Sequence, residues 1–280
     1  MEDIKKSDQI FPETRWVAGL VIPFLVAAFG ILFILPSKTE LLFAWKIQPS
    51  MSAMTLGAAY AGGIYFFASV LHSKHWHKVK VGFLPVTAFA SLLGIATILH
   101  WDRFTHGHIS FVAWVGLYFT APFIVFVVWL RNRGQDTGKP DPDFDVVISS
   151  PARLLMGIFG VVTLGLSVYL FAQPSVMIAL WPWDLTPLTA RVMGAMFSLP
   201  ALVGLGIAVD TRWSVANIIL RSQGFSILLI LIAIVFARQD FDWGNPSSWL
   251  FAGGLGGMLI SIVVLIVIMQ QRQSQISIIR

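Results

Sequence analysis

The chain has 280 residues, of which 56% are apolar and only 12% are charged, and its mean hydropathy is +0.78. This composition lies outside the balance of soluble globular domains and indicates an integral membrane protein. The lack of cysteine excludes disulfides, thiolate metal sites and cysteine nucleophiles. Basic loops on one membrane face explain the net charge of +5, so the charge does not indicate nucleic-acid binding.

Long apolar runs recur along the whole chain. Each is long enough to cross a hydrocarbon core about 30 Å thick, so each predicts a transmembrane helix. The first run lacks a small-residue cleavage site, and we interpret it as a retained helix rather than a signal peptide. The predicted helices cover residues 16–36, 52–71, 81–100, 109–130, 153–172, 188–209, 214–237 and 247–269.

The two halves of the sequence can be aligned with each other. Residues 15–49 lie over residues 153–187 without a gap, and the shared residues include Trp, Pro and Gly in the same order. Ordered matches of these residue types indicate an internal repeat. The aligned pairs are Arg15/Arg153, Gly19/Gly157, Leu32/Leu170, Phe33/Phe171, Pro36/Pro174, Ser37/Ser175, Leu42/Leu180, Trp45/Trp183 and Pro49/Pro187, followed after a one-residue deletion by Gly57/Gly194, Trp76/Trp213, Phe104/Phe241, Gly107/Gly244 and Gly116/Gly253.

We therefore predict an all-α integral membrane protein with eight transmembrane helices. Four helices per copy is an even number, so the two four-helix repeats are parallel, with a pseudo-twofold axis along the membrane normal. The predicted units are an N-terminal segment (1–14), the first repeat (15–132), a linker (133–150), the second repeat (151–271) and a tail (272–280). Most Lys and Arg residues lie on the side of the N-terminus, which predicts the cytoplasmic membrane with both termini cytoplasmic.

Each copy carries an apolar stub after its first helix, ending at Trp45 or Trp183. Tryptophan at this depth commonly anchors a helix in the headgroup region, which is the interpretation we favour. The alternative is a lid over a cavity between the halves. Glycine-rich faces at 61–63 and 253–257 indicate close helix packing, either within the chain or against a partner subunit.

Few polar residues offer a functional site. Arg221 is the one ionisable residue expected well inside a helix, where it marks a solute path or reaches back to the headgroups. Arg191 lies near the outer end of its helix, with Trp183 and Asp184 close by in sequence, and these three residues are further candidates for a ligand site or solute path. We expect Arg191 to pair with Asp184, with a phospholipid head as the alternative partner. Alignment of the copies places Lys46 over Asp184 and Arg103 over Asp240, which predicts two ion pairs between the repeats.

All six histidines lie between residues 72 and 108. The outer set, His100, His106 and His108 together with Asp102, is a candidate Zn or Cu site. The inner set, His72, His75 and His77, is mixed with Lys74, Lys78 and Lys80 and is interpreted as a basic patch for anionic lipid. An ordinary surface role without metal is the alternative for the outer set.

In helix count and duplication the arrangement resembles haem A synthase. That resemblance implies axial histidines in the core helices of each half, whereas the second half here has no histidine. A bis-histidine haem within either unit is therefore not expected, and a pigment or haem held by one histidine near a surface stays open. The resemblance assigns no cofactor.

No catalytic motif or intramembrane pair of carboxylates occurs in the sequence. We interpret the protein as a non-catalytic scaffold or accessory subunit of a membrane complex, holding a lipid, quinone or pigment between its halves. The first alternative is a carrier for an apolar or amphipathic solute, and the second is a haem- or metal-binding redox protein. Expected partners are the lipid bilayer and protein subunits that pack on the glycine-rich faces, with no nucleic acid.

Overall fold

The computed structural model describes residues 7–140 and 145–278, with side chains as far as residue 275. Within these residues the fold is all-helical, and eight helices are long and apolar enough to span a membrane. Each predicted run is found as a helix, which confirms the expectation of eight membrane-spanning segments. We number them α1 (Pro12–Ile34), α2 (Ser50–His72), α3 (Lys80–Leu99), α4 (Ile109–Gln135), α5 (Ser150–Ala172), α6 (Pro187–Ala208), α7 (Trp213–Phe236) and α8 (Pro246–Gln275).

Proline fixes several helix boundaries. Pro12 and Pro187 occupy the first turns of α1 and α6, where the missing N–H has no intrahelical partner to lose. Inside α6 the helix is interrupted between the segments Pro187–Met196 and Ser198–Ala208. Pro200 cannot donate a hydrogen bond to the Met196 carbonyl, and this accounts for the interruption.

Helix α2 lies at the centre of the fold and α8 at its edge. Helix α2 packs against α1 and α7, α3 packs against α4 and α6, α5 packs against α6, and α7 packs against α8. In the most apolar window of each helix, 61% of the residues are buried in α2 but only 6% in α8. The core is therefore built from α2, α3, α6 and α7, and α8 leaves most of its surface to lipid.

Glycines allow the closest helix approaches. A Cβ added at Gly57 on α2 would lie 3.0 Å from the backbone nitrogen of Phe33, and one at Gly194 on α6 would lie 2.9 Å from that of Phe171. A larger side chain would push the helices apart, because backbone atoms cannot rotate away. Glycine at these two positions therefore sets the spacing of α1 on α2 and of α5 on α6.

The loops form two faces. The N-terminal face comprises residues 7–11, 73–79, 136–140, 145–149 and 209–212, and the opposite face comprises residues 35–49, 100–108, 173–186 and 237–245. At the N-terminal face the segment before α1 bridges to the α2–α3 loop between Gln9 and His75, and the segment before α5 bridges to the α6–α7 loop between Val147 and Arg212. These bridges fix the start of α1 and of α5 relative to the rest of the bundle.

Two arginines cap helix ends at the same face. The Arg15 guanidinium donates to the carbonyls of Leu71 and Ser73 at the end of α2. Arg153 donates to the Ala208 carbonyl, the last residue of α6, over 3.3 Å. A cation at a helix C-terminus satisfies free carbonyls and interacts favourably with the helix dipole, so both arginines have a structural role.

Candidate functional site

A cavity of about 240 Å³ lies in the middle of the bundle. Seven of the eight helices contribute to its wall, α5 being the exception, so helices of both predicted halves surround it. The wall is almost entirely apolar, with Leu25, Phe89, Val203, Ile230 and Met258 among its residues. Pockets for small molecules in proteins are mostly apolar, with a few polar groups that fix the orientation of the ligand. This cavity is the candidate functional site.

Most of the polar groups in the cavity wall are already hydrogen-bonded. Tyr60 and Tyr118 join α2 to α4 through a hydroxyl–hydroxyl hydrogen bond of 2.6 Å. The Thr55 hydroxyl donates to the Met51 carbonyl over 2.7 Å, and the Ser222 hydroxyl donates to the Gly62 carbonyl over 2.8 Å. These groups hold helices together and leave little hydrogen-bonding capacity for a ligand.

Gln223 and Ser226 on α7 differ from these hydrogen-bonded groups in having no partner among the described residues. Both line the cavity, both are half-buried, and neither side chain has a hydrogen-bond partner among residues 7–140 and 145–275. Placing a polar group away from water costs free energy when the group has no hydrogen-bond partner. The amide of Gln223 and the hydroxyl of Ser226 are therefore available to a bound molecule with a polar end. The buried Nε1 of Trp181, which also lines the cavity, likewise has no hydrogen-bond partner among the described residues. Sequence reasoning did not identify Gln223 and Ser226 as site residues, because their orientation depends on how α7 packs.

The headgroup-anchor interpretation of Trp45 and Trp183 is wrong for their side chains, which are 3% and 4% exposed. Trp45 packs on Phe104 with ring centroids 5.1 Å apart, and Trp183 packs on Phe241 at 5.0 Å. Each indole fills an aromatic cluster under its stub, where burial of a large ring outweighs placement in the headgroups. Trp181, two residues before Trp183, lines the cavity at its end toward the opposite face.

The two arginines suggested for a solute path do not line the cavity. Arg221 is half-buried on α7, and its Nε donates to the Asn217 amide oxygen one turn earlier over 2.7 Å. The Arg191 guanidinium contacts His100 Nε2 at 2.7 Å instead of pairing with Asp184. Burial, followed by the Arg191 charge, holds the pKa of His100 below its usual range, so the neutral imidazole accepts this hydrogen bond.

Neither ion pair predicted between the repeats is formed. Lys46 pairs with Glu40 at 2.7 Å and Arg103 with Asp102 at 3.3 Å, and in both pairs the side chains are largely exposed. Lysine and arginine reach the acidic group nearest in sequence at little entropic cost, which explains the local pairing. Asp240 does join the halves, but through the backbone N–H of Met51, which donates to its carboxylate over 2.8 Å.

The outer histidines do not assemble into the predicted metal site. His100 contacts Arg191, and the ring of His106 packs against that of Trp101 with the centroids 5.4 Å apart. His108 caps α4, its Nδ1 accepting from the backbone N–H of Ser110 over 3.2 Å. Each of the three imidazoles thus has a separate role. The ligand atoms needed for the predicted site do not come together from His100, Asp102, His106 and His108.

A metal-ligand group forms instead at the N-terminal face, from Asp8, His75 and His77. Their ligand atoms all lie within 4.8 Å of one another. Burial raises the pKa of Asp8, but hydrogen bonds from the His77 side chain and backbone outweigh this effect and leave the pKa lowered. Sequence reasoning assigned His75 and His77 to a basic patch for anionic lipid, because Asp8 reaches the α2–α3 loop only in the folded chain.

Glycine has different roles in the two glycine-rich faces. On α2 a Cβ at Gly62 would lie 2.0 Å from the Ser226 hydroxyl oxygen and 3.0 Å from the Ser222 carbonyl oxygen, so this face packs on α7 within the chain. On α8 a Cβ at Gly253, Gly254, Gly256 or Gly257 would meet no atom of the described residues within 4 Å. The α8 glycine face is therefore open in this structure.

A second polar site missed by sequence reasoning lies at the N-terminal face. This ion cluster consists of Lys80, Asp136, Asp210 and Arg212. The Arg212 guanidinium donates two hydrogen bonds to the Asp136 carboxylate (2.8 and 2.7 Å) and two to that of Asp210 (2.9 and 2.7 Å). Lys80 Nζ lies 2.6 Å from Asp136 and 2.7 Å from Asp210. The two carboxylates neutralise the charges of the two cations. Lys80 is thus in ion pairs and does not belong to a lipid-binding patch.

The ion cluster lowers the pKa values of its two carboxylates. Burial raises the pKa of Asp210, but hydrogen bonds from Arg212 and Lys80 outweigh burial and lower it to about 2. The pKa of Asp136 is likewise held well below its usual range against the effect of burial, by the same two donors. The cluster joins the start of α3, the segment after α4 and the α6–α7 loop, and its role in this structure is a tether.

Comparison of the chain with protein-family models, with curated proteins and with solved structures finds no match.

Proposed function

We propose that the protein is a non-catalytic membrane protein that holds an amphipathic molecule of the lipid, quinone or pigment class in its central cavity. The observation that carries this proposal is an apolar cavity whose wall holds polar groups without a hydrogen-bond partner among the described residues, on Gln223, Ser226 and Trp181. An apolar ring or chain fits the wall, and a carbonyl or hydroxyl group would complete the hydrogen bonds of the α7 side chains.

The geometry favours a quinone-like or lipid-like ligand over an ionic one. Among the described residues that line the cavity, no side chain is charged, and an ion without a counter-charge is strongly disfavoured in such surroundings. The Gln223 amide offers both a donor and an acceptor, whereas the serine hydroxyl rotates to suit its partner. A neutral ligand with one polar end therefore matches the site.

We further propose that the eight helices form two parallel four-helix repeats. Three repeated contacts support this: Gly57 on Phe33 and Gly194 on Phe171, Trp45 on Phe104 and Trp183 on Phe241, and the two arginine caps. Contact of α2 with α7 and of α3 with α6 is also what a pseudo-twofold axis would produce, because each pairs the second helix of one half with the third of the other. The cavity then lies close to the axis.

Within this proposal the N-terminal face is cytoplasmic and the chain acts as a subunit of a larger assembly. The excess of Lys and Arg on that side supports the orientation. The open glycine face of α8 supports the subunit role, since glycine at Gly253, Gly254 and Gly257 lets a partner helix approach closely.

The test is chemical identification of the ligand. Protein purified in mild detergent from its own host is extracted with organic solvent, and the extract is analysed by liquid chromatography and mass spectrometry. We expect one species at near-equimolar amount that falls at least tenfold in Ala59→Phe, which fills the cavity. Ile98→Phe, on a side chain 64% exposed, is the control and should retain the species.

A carrier is the second candidate, favoured because the cavity wall is shared by helices of both halves. A carrier would move its solute between leaflets or faces, and a holding subunit would not. Exchange of the identified ligand between loaded and empty proteoliposomes separates the two. Exchange accelerated by the wild type but not by Ala59→Phe would establish the carrier.

A further inference from the structure

We propose that Asp8, His75 and His77 form a site for one divalent transition-metal ion, with Zn²⁺ as the representative ion. Asp8 Oδ2 lies 3.1 Å from His75 Nδ1 and 2.5 Å from His77 Nδ1. In a tetrahedral zinc site with bonds of about 2.0–2.1 Å, two ligand atoms lie about 3.3 Å apart. Small side-chain movements would therefore bring the three atoms to coordination distance around one ion.

The backbone holds the three residues in place. The Asp8 N–H donates to the Gln135 carbonyl over 3.1 Å, and the Asp8 carbonyl accepts from the Trp76 N–H over 2.8 Å. The Trp76 side chain, which lies between the two histidines in sequence, is fully buried and anchors the loop. Asp8 also has a positive φ of 52°, in the left-handed region that aspartate adopts more readily than most residues other than glycine.

The second half of the chain makes the same backbone contact without histidine. Asp145 accepts from the backbone N–H of Ser214 over 3.0 Å, as Asp8 accepts from that of His77 over 3.0 Å. In the second half the other carboxylate oxygen accepts from the Ser214 hydroxyl at 2.8 Å. A serine therefore suffices for the tether. What the first half adds is a pair of imidazoles on the remaining carboxylate oxygen of Asp8.

The donor set selects the class of metal. Two imidazole nitrogens and one carboxylate oxygen suit Zn²⁺ and similar transition-metal ions, whereas Mg²⁺ and Ca²⁺ prefer oxygen ligands throughout. The side chain of His75 is 51% exposed, and those of Asp8 and His77 are 16% exposed. The site is thus accessible from solvent and leaves a fourth position for water or another ligand.

Metal binding is measured on the full-length protein in detergent, carrying a tag without histidine. The protein is stripped with chelator, incubated with ZnCl₂, passed through gel filtration and analysed for bound metal. We expect one zinc per chain in the wild type and at least a tenfold lower affinity in the double variant His75→Gln/His77→Gln. The triple variant His100→Gln/His106→Gln/His108→Gln removes three imidazoles from the opposite face and should bind zinc as the wild type does.

Asp8→Asn provides a second variant that keeps an oxygen acceptor for the His77 N–H. It should fold as the wild type does by thermal unfolding without metal, and its zinc affinity should fall at least tenfold. In Co²⁺-loaded wild type we expect the visible absorption of a four- or five-coordinate ion, absent from Asp8→Asn. Absence of stoichiometric zinc in the wild type, or equal binding in the wild type and the double variant, would overturn the proposal.

Discussion

The indole Nε1 of Trp183 donates a 2.8 Å hydrogen bond to the hydroxyl of Ser52, which lies 131 positions earlier in the chain. Both groups are buried, and the bond joins the stub before α6 to the start of α2. Trp45 occupies a similar aromatic cluster in the first half, but its buried Nε1 has no partner among the described residues. Comparison of the two tryptophans therefore distinguishes the contribution of ring packing to stability from the contribution of the hydrogen bond.

Trp183→Phe should destabilise the protein more than Trp45→Phe. Both changes shrink an aromatic ring in a packed cluster, but only the first breaks a hydrogen bond and leaves the Ser52 hydroxyl without its partner. We expect a difference of about 1–2 kcal/mol in the free energy of unfolding. Denaturant unfolding in detergent measures it, and a double-mutant cycle with Ser52→Ala should show the coupling. Equal losses in the two variants would contradict this assignment.

Gly194→Ala should destabilise the chain, because the new Cβ would lie 2.9 Å from the Phe171 backbone nitrogen. Overpacking of this kind costs about 1–3 kcal/mol. Gly254→Ala is the matched control, since its Cβ meets no atom of the described residues within 4 Å. Thermal unfolding should show a lower midpoint for the first variant and no loss for the second. A loss in Gly254→Ala that grows with protein concentration would instead point to self-association through α8.

Removing the Arg212 side chain should strongly destabilise the N-terminal face. This guanidinium is 2% exposed and bonds both Asp136 and Asp210, so Arg212→Ala leaves two carboxylates near each other with only Lys80 between them. Breaking a buried pair by deleting one partner costs about 3–5 kcal/mol. The exposed Arg103→Ala should cost less than about 1 kcal/mol. Comparable losses in the two variants would exclude the tethering role of the ion cluster.

The same cluster predicts a dependence of stability on pH. The pKa of Asp210 in the folded state, about 2, lies below its ordinary value of 3.8. The ionised carboxylate, facing Arg212, Lys80 and Asp136, therefore stabilises the fold above pH 3.8, and this contribution disappears as the pH falls toward 2. The amount is about 2 kcal/mol. Unfolding midpoints measured across this pH range should fall less steeply in Asp210→Asn than in the wild type.

The sequence was sufficient to predict the eight helices, because apolar runs of this length have one stable arrangement in a bilayer. It did not predict which side chains meet. Lys46 and Asp184 were paired by alignment of the copies, yet Lys46 binds Glu40, since a long flexible side chain takes the nearest partner. A pairing rule based on aligned positions cannot include such local competition.

The candidate site was harder to predict than the fold. Gln223 and Ser226 become notable only when the packing of α2 on α7 places them at the cavity. Asp8 is far from His75 and His77 in sequence, and these two imidazoles, which the corresponding contact of Asp145 with Ser214 lacks, separate a ligand set from a plain tether. Both signals depend on tertiary contacts between distant segments, which composition and spacing do not contain.

Native mass spectrometry of the wild type and of Ala59→Phe tests the central claim most directly. Both proteins are released from mild detergent, and the masses of the folded chains are compared before and after gentle collisional activation. We predict one small-molecule adduct per wild-type chain, lost on activation and absent from the cavity-filling variant. A wild-type chain that carries no adduct, or an adduct equally abundant in both proteins, would contradict the assignment of the cavity as a ligand site.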